Sequence, residues 1–199
     1  WARLDSGALL LNSGSQGGYF TQTGTVTAAT LGASFANGGS LARAVGPISG
    51  GVSTCTWIKS SSGQPAPFGI SQMSPDFFAA FFDFGKARAE LHVGGGSAQV
   101  SEIVTAADAG RWVHIGVSAW LDGARWRLRA YRNGAVAGNA VTGAVGSVNL
   151  SAVESAIGGS PVFGDFWTGE LDDFRSWNRA VDDSEIAAIY AAGLADHPY

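Results

Sequence analysis

The segment from Trp112 to Gly134 leaves this chain little choice of fold. Val113, Ile115, Val117 and Ala119 alternate with Trp112, His114, Gly116, Ser118 and Trp120. A period of two sends successive side chains to opposite faces of an extended strand, whereas a helix needs apolar residues at three- and four-residue steps. Asp122-Gly123 then offers a tight turn. Arg125 to Arg132 alternates again, with Trp126, Leu128 and Ala130 on one face and Arg125, Arg127, Arg129 and Tyr131 on the other. Asn133-Gly134 supplies a second turn, of the kind that accepts positive φ at both central positions. Two such turns in succession make an antiparallel meander.

Most of the chain is punctuated in the same way. Ala33 to Arg43 reads as two short strands around Asn37-Gly38-Gly39. Gly50-Gly51 opens a strand through Ile58, with Cys55 and Trp57 on one face and Thr54, Thr56 and Ile58 on the other. Ser60 to Pro67 is a loop. Phe68 to Gln72, Phe77 to Phe84 and Ala87 to Val93 read as three antiparallel strands, separated by Met73-Ser74-Pro75-Asp76 and Gly85-Lys86. The 29 glycines and seven tryptophans suit many turns joining short strands, and 199 residues suffice for one full core. The fold class is therefore all-β, an antiparallel two-sheet β-sandwich with one short C-terminal helix. Asp182 can cap that helix, with Glu185 in the capping-box position. Ile186, Ile189 and Tyr190 form its apolar stripe, and Gly193 fits a left-handed stop. Residues 1–30, rich in Gly, Ser and Thr, read as an N-terminal extension or connector holding a strand or two. Residues 31–199 read as the domain. A start at Trp1 without Met reads as a processed or excised piece.

Three segments carry a family likeness. ASFANGGSLARAVGPISGGVSTCTWIK resembles the entry of laminin-G-like domains, and GRWVHIGVSAWLDGARWRLRAYRNGAVAG their central strand and Asn-Gly hairpin. AIGGSPVFGDFWTGELDDFRSWNRAVDDSEIAAIY is similar to their closing pattern of I-G-G, aromatic loop, paired aspartates, N-R-A and short helix. The likeness, laminin-G-like within the concanavalin A-like group, runs in order over roughly residues 31–190. It implies a jelly roll with a curved concave face. It does not fix the ligand, because such folds host lectins, matrix receptors, hydrolases, lyases and attachment modules.

Chemistry has to come from particular residues. Glu170 and Asp172 match the first two positions of the E-x-D-x-(x)-E strand of laminarinase-type hydrolases, but Phe174 and Arg175 stand where the third carboxylate belongs. Without it no group protonates the leaving oxygen, so the retaining mechanism fails. Asp172 or Asp173 then has a structural use, hydrogen-bonding the turn before the helix or pairing with Arg179. Calcium is the cofactor that the resemblance leaves open. Asp172 is its best metal-ligand candidate and Asp165 another, although no dense run of oxygen ligands surrounds either. His92, His114 and His197 lack the spacing of a zinc site, His114 reading as a satisfied, half-buried residue. Cys55 stands alone and reads as a small buried hydrophobe.

Arg125, Arg127 and Arg129 admit two readings: an anion cradle for sulfated or uronic sugars, or a solvated face whose arginines reach Asp83, Glu90 or Glu102. The formal net charge of −4 opposes a nucleic-acid partner, and no apolar run approaches the roughly 18 residues of a membrane span. Trp167, with Phe163 and Asp165 in a glycine-bearing loop, is the candidate ligand-binding set. An exposed indole stacks on sugar C–H groups while a carboxylate accepts hydroxyl hydrogen bonds. The alternative is that Trp167 plugs one end of the sandwich. These features point to a non-catalytic carbohydrate-binding or adhesion module, extracellular or on a cell or virion surface, whose partner is a glycan or surface protein. The other expectation is a structural, assembly or host-attachment module of a larger surface or virion protein.

Overall fold

The computed structural model describes residues 21–29, 32–44, 50–60, 68–71, 77–83, 86–101, 103–143, 154–160 and 165–197. Its ladder runs through ten strands besides the two that begin it. The chain enters with β1 (Thr21–Ala28) and β2 (Ala33–Ala44), followed by β3 (Gly51–Ser60), β4 (Phe68–Ser71), β5 (Phe77–Asp83), β6 (Lys86–Val93) and β7 (Gly96–Ser101). After a 3₁₀ turn at Ala106–Asp108 come β8 (Val113–Asp122), β9 (Arg125–Arg132), β10 (Ala135–Val141) and β11 (Glu154–Ile157). The short pair β12 (Gly159–Ser160) and β13 (Asp165–Phe166) precedes β14 (Gly169–Trp177) and the helix α1 (Asp183–Gly193). Hydrogen-bonded order is β10-β9-β8-β3-β14-β2-β11-β4-β5-β6-β7, every pairing antiparallel.

One strand makes this ladder a sandwich. Ala33 to Phe35 of β2 pair with β14, while Leu41 to Ala44 pair with β11, so β2 belongs to both layers. Between those stretches the register with β1 slips, and Gly38 takes φ +74° opposite Gly24 at +63°. A Cβ on Gly24 would lie 2.4 Å from the Gly38 carbonyl oxygen, a distance that no side chain tolerates. The Asn37-Gly38-Gly39 signal thus marks a corner inside one strand, in place of the two strands and turn expected there. The chain bends because β2 must serve two partners, and bulged glycines permit the bend.

The ends of the ladder then face each other, with β7 packed across from β9 and β10. Leu91, Val93 and Val100 from one layer meet Ile115, Trp126, Leu128, Leu171 and Phe174 from the other in a single core. β1 pairs with β2 at Ala33–Ala36 and Ser40–Ala42, and is a strand of the kind expected within residues 1–30. Only Val26 of this strand is buried.

β3 is buried on both faces. Val52 and Ile58 join the inter-sheet core, whereas Cys55 faces α1 with Tyr131, Val181, Ile186 and Ile189. Asp182 caps α1 by accepting the Glu185 N–H at 2.8 Å, as expected, but the Glu185 carboxylate is bound to Arg179. Gly193 is not a left-handed stop: α1 runs on into Leu194 at φ −60°. A Cβ there would lie 2.4 Å from Trp57 Nε1, so glycine is needed for clearance. Burial pushes the Cys55 thiol up well above its ordinary range, which suppresses the reactive thiolate. Native protein is expected to resist a thiol reagent that modifies the denatured chain fully; rapid labelling at native pH would contradict this packing.

Candidate functional site

Of the sequence-derived site residues, Trp167 and Asp172 are described with their side chains. Phe163 lies outside the described residues, and Asp165 is described only through its backbone in β13. Of the two placements open to Trp167, the structure has the buried one. The indole is 3% exposed, its centroid 6.0 Å from that of Phe35, and Gly169 at φ +154° gives it room.

Glu170 pairs with Lys59 at 3.2 Å. Asp172 Oδ1 accepts the Asp173 N–H, and its Oδ2 lies 3.1 Å from His197 Nε2. A bulge follows, with Asp173 at φ +51° and the register against β3 shifted between Asp172 and Arg175. The bulge turns Phe174 into the core beside Leu171 and leaves Asp173 paired with Arg175. The expected partner Arg179 is instead bound to Glu185. Among the described residues no group of three or more His, Cys, Asp or Glu is gathered for a metal. The immediate partners of Asp172, a main-chain N–H and an imidazole, do not fit the oxygen-rich shell that calcium requires.

Two of the three ladder arginines form ion pairs among the described residues, and the side chains of the expected acids Asp83 and Glu102 lie outside that description. Arg127 pairs with Asp122, Arg132 with Asp108, and Arg129 with Asp183. Alternation puts Arg127 and Arg129 on one face of β9 and Arg132 on the other, and their partners come from the end of β8, the helix and the 3₁₀ segment.

Arg129 opens onto a cleft of about 540 Å³. The sheet supplies Trp120, Arg129 and Tyr131; the segment Arg179 to Ser184 supplies the other wall. Trp120 is half-buried near the end of β8, directly opposite Arg127 of β9. The Arg129 guanidinium sits over its ring, 5.5 Å from the centroid. From there Nη1 donates to Asp183 Oδ1 at 2.8 Å and Oδ2 at 2.9 Å, and Nε donates to Asn139 Oδ1 at 2.7 Å. The Tyr131 hydroxyl donates to the same Asp183 carboxylate at 2.8 Å. These two donors hold the Asp183 carboxyl below its usual range. Burial, then the bond to Asp183, pushes the Tyr131 hydroxyl up.

Buried serines fix the opposite wall. Ser53 Oγ and Ser118 Oγ are 2.8 Å apart; both accept the Val181 N–H, and Ser53 donates to the Arg179 carbonyl. Arg179 then makes a two-pronged pair with Glu185, at 2.7 and 2.9 Å. The Ser184 hydroxyl and the Glu185 N–H hold the Asp182 carboxyl below its usual range. The cleft is thus a fixed arrangement of one indole, two guanidiniums and two ionised aspartates, dimensioned for a small ligand.

A second cluster lies under the C-terminal segment. Trp57, fully buried, stacks with His197 (centroids 4.4 Å apart, planes 7° apart) and with Tyr190 at 5.4 Å. His114 is 1% exposed and 5.3 Å from Trp57, with neither ring nitrogen partnered among the described residues. It is neither half-buried nor satisfied, contrary to expectation, because Trp57 and Tyr190 close over it.

Comparison with known proteins follows the fold. A family model described as the concanavalin A-like lectin/glucanases superfamily matches residues 31–187. No curated protein matches the sequence significantly. Domain 4 of AbnA, a GH43 extracellular arabinanase from Geobacillus stearothermophilus solved with arabinotriose, superposes with TM-score 0.65 at 17% identity, covering 91% of this chain and 92% of that one. The botulinum neurotoxin serotype D/C binding domain gives TM-score 0.67 at 11% identity, covering 96% of this chain and 51% of that one. A structure of botulinum neurotoxin type C, whose cell entry depends on interaction with two ganglioside molecules, gives TM-score 0.66 at 13% identity, with 96% of this chain and 50% of that one covered. This chain spans about half the length of the toxin chains it matches.

Proposed function

The chain belongs to the concanavalin A-like lectin/glucanases superfamily, and from that membership we propose that it is a non-catalytic carbohydrate-binding module of a secreted or surface-exposed protein. The observation that carries the reading is the Trp120 cleft. An indole supplies apolar area for sugar C–H groups, and fixed guanidiniums and carboxylates around it can exchange hydrogen bonds with hydroxyls. The arabinotriose complex of the similar arabinanase domain, and the dependence of botulinum neurotoxin type C cell entry on gangliosides, support a glycan as the ligand. Catalysis has less support, since Glu170 and Asp172 are each bound to a neighbour and the position of the third carboxylate is core.

Binding to a glycan array is expected for the native chain and to weaken at least about ten-fold in Trp120→Ala, equivalent to about 1.4 kcal/mol. Phe163→Ala and Asp165→Ala test the loop that the sequence singled out; loss there, with Trp120→Ala unaffected, moves the ligand to that loop. An arm with EDTA tests calcium. Absence of binding to every glycan, with and without calcium, refutes the reading, and release of reducing sugar from any of them refutes its non-catalytic part.

A further inference from the structure

We propose, resting on the carbohydrate-binding reading above, that the Trp120 cleft selects neutral, hydroxyl-rich sugars and discriminates against acidic ones. The argument is one of charge already committed. Two guanidiniums line the cleft, and each is held in a two-pronged bond to a carboxylate, Arg129 to Asp183 and Arg179 to Glu185. Against these two positive charges stand Asp182 and Asp183 within the lining, and Glu185 immediately behind it. The local sum is zero for the lining and −1 with Glu185 included.

A sialic, uronic or sulfated sugar entering here meets arginines whose charge is already offset, and gains a full ion pair only by displacing a carboxylate from one of them. It would then leave Asp183 or Glu185 without its charged partner, and bring a further negative charge within reach of Asp182. Each consequence opposes binding. A neutral sugar meets none of them. Its hydroxyls both donate and accept. An ionised carboxylate offers about four acceptor positions, so Asp183 can take a hydroxyl proton while keeping Arg129 and Tyr131. Arg129 is also held over the Trp120 ring, so that guanidinium and indole together form one wall of the cleft against which a neutral sugar can lie. The same arrangement bears on the anion-cradle reading of the arginine ladder: in sequence the arginines look available, and in the fold Arg127 is paired with Asp122 and Arg129 with Asp183, 54 residues further along the chain.

The test is calorimetric titration of the whole chain with matched oligosaccharide pairs, one member neutral and the other carrying sialic acid, a uronate or a sulfate. The neutral member is expected to bind at least about ten-fold tighter. Asp183→Asn is expected to narrow that gap by releasing Arg129, and Trp120→Ala to weaken the neutral member. Thermal unfolding of each variant confirms that it folds, and Arg179→Gln supplies a second probe of the cleft should either variant unfold. Equal or tighter binding of the acidic members overturns the selectivity while leaving a carbohydrate module standing. An unchanged gap in Asp183→Asn overturns its electrostatic origin. Binding to no member of any pair overturns both proposals.

Discussion

Trp57→Ala is expected to lower the stability of this protein by about 3–5 kcal/mol, the range for emptying a large aromatic from a packed core. Trp57 is fully buried on β3, a strand with neighbours on both sides and cover on both faces. Its indole is also the seat of the C-terminal segment. Tyr190 and His197 stack on it, and Gly193 approaches closely enough that even a methyl group would collide with Nε1. Removing the ring therefore leaves a cavity and withdraws the surface on which α1 and His197 rest. Urea titration followed by far- and near-ultraviolet circular dichroism measures both effects: a large fall in midpoint, and loss of aromatic signal from the stacked group. Trp120→Ala, on a half-buried rim, is expected to change the midpoint far less while removing binding. A drop below about 1 kcal/mol for Trp57→Ala would mean that the stack does not hold the segment in place.

The contrast between these two tryptophans shows what alternation in a sequence can convey. The period-two pattern placed β8, β9 and the second of their turns, where Asn133 and Gly134 adopt φ of 49° and 76° as an Asn-Gly hairpin should; the first turn lies at Gly123-Ala124, one residue beyond the Asp122-Gly123 expected. It also separated Trp126, in the inter-sheet core, from the arginines beside it. Alternation says which face a residue occupies and nothing about what covers that face. Trp57 and Trp120 lie on the same outer face, yet the helix covers one and leaves the other at a cleft rim. The cleft is missed for the same reason: its walls come from β8, β9 and the segment before α1, brought together by the Ser53–Ser118 pair. β7 was missed because it is short and polar, although Gly94-Gly95 was an available hairpin signal and takes φ of 55° and 78°. The bulge in β14 left even less trace. An aspartate at positive φ is permitted but not announced by its neighbours, and it is what separates Phe174 from the carboxylates.

His114 gives the second large effect, a loss of stability in mild acid on the order of 3 kcal/mol. Its imidazole is buried between Trp57 and Tyr190, and desolvation pushes its pKa down from 6.5 to about 4, with Asp173 opposing that shift and Arg175 and His197 adding to it. Above pH 6.5 the ring is neutral in both folded and unfolded chains, and the full stability is present. As pH falls through 6.5 the unfolded chain takes up a proton that the folded chain refuses, so unfolding gains ground; below about 4 both are protonated and the loss is complete. Each pKa unit is worth 1.36 kcal/mol, which sets the size of the effect. Urea midpoints measured between pH 7 and pH 4 should show this slope in the native chain and a shallower one in His114→Phe, which keeps an aromatic against Trp57 but cannot be protonated. The carboxylates at Asp182 and Asp183 do not confuse the comparison. Their pKa values are lowered, so they lose their contribution only in stronger acid, and they titrate alike in both proteins. Equal slopes in the two proteins would show that the buried imidazole accepts its proton without cost, through a partner or a path to water that its packing denies.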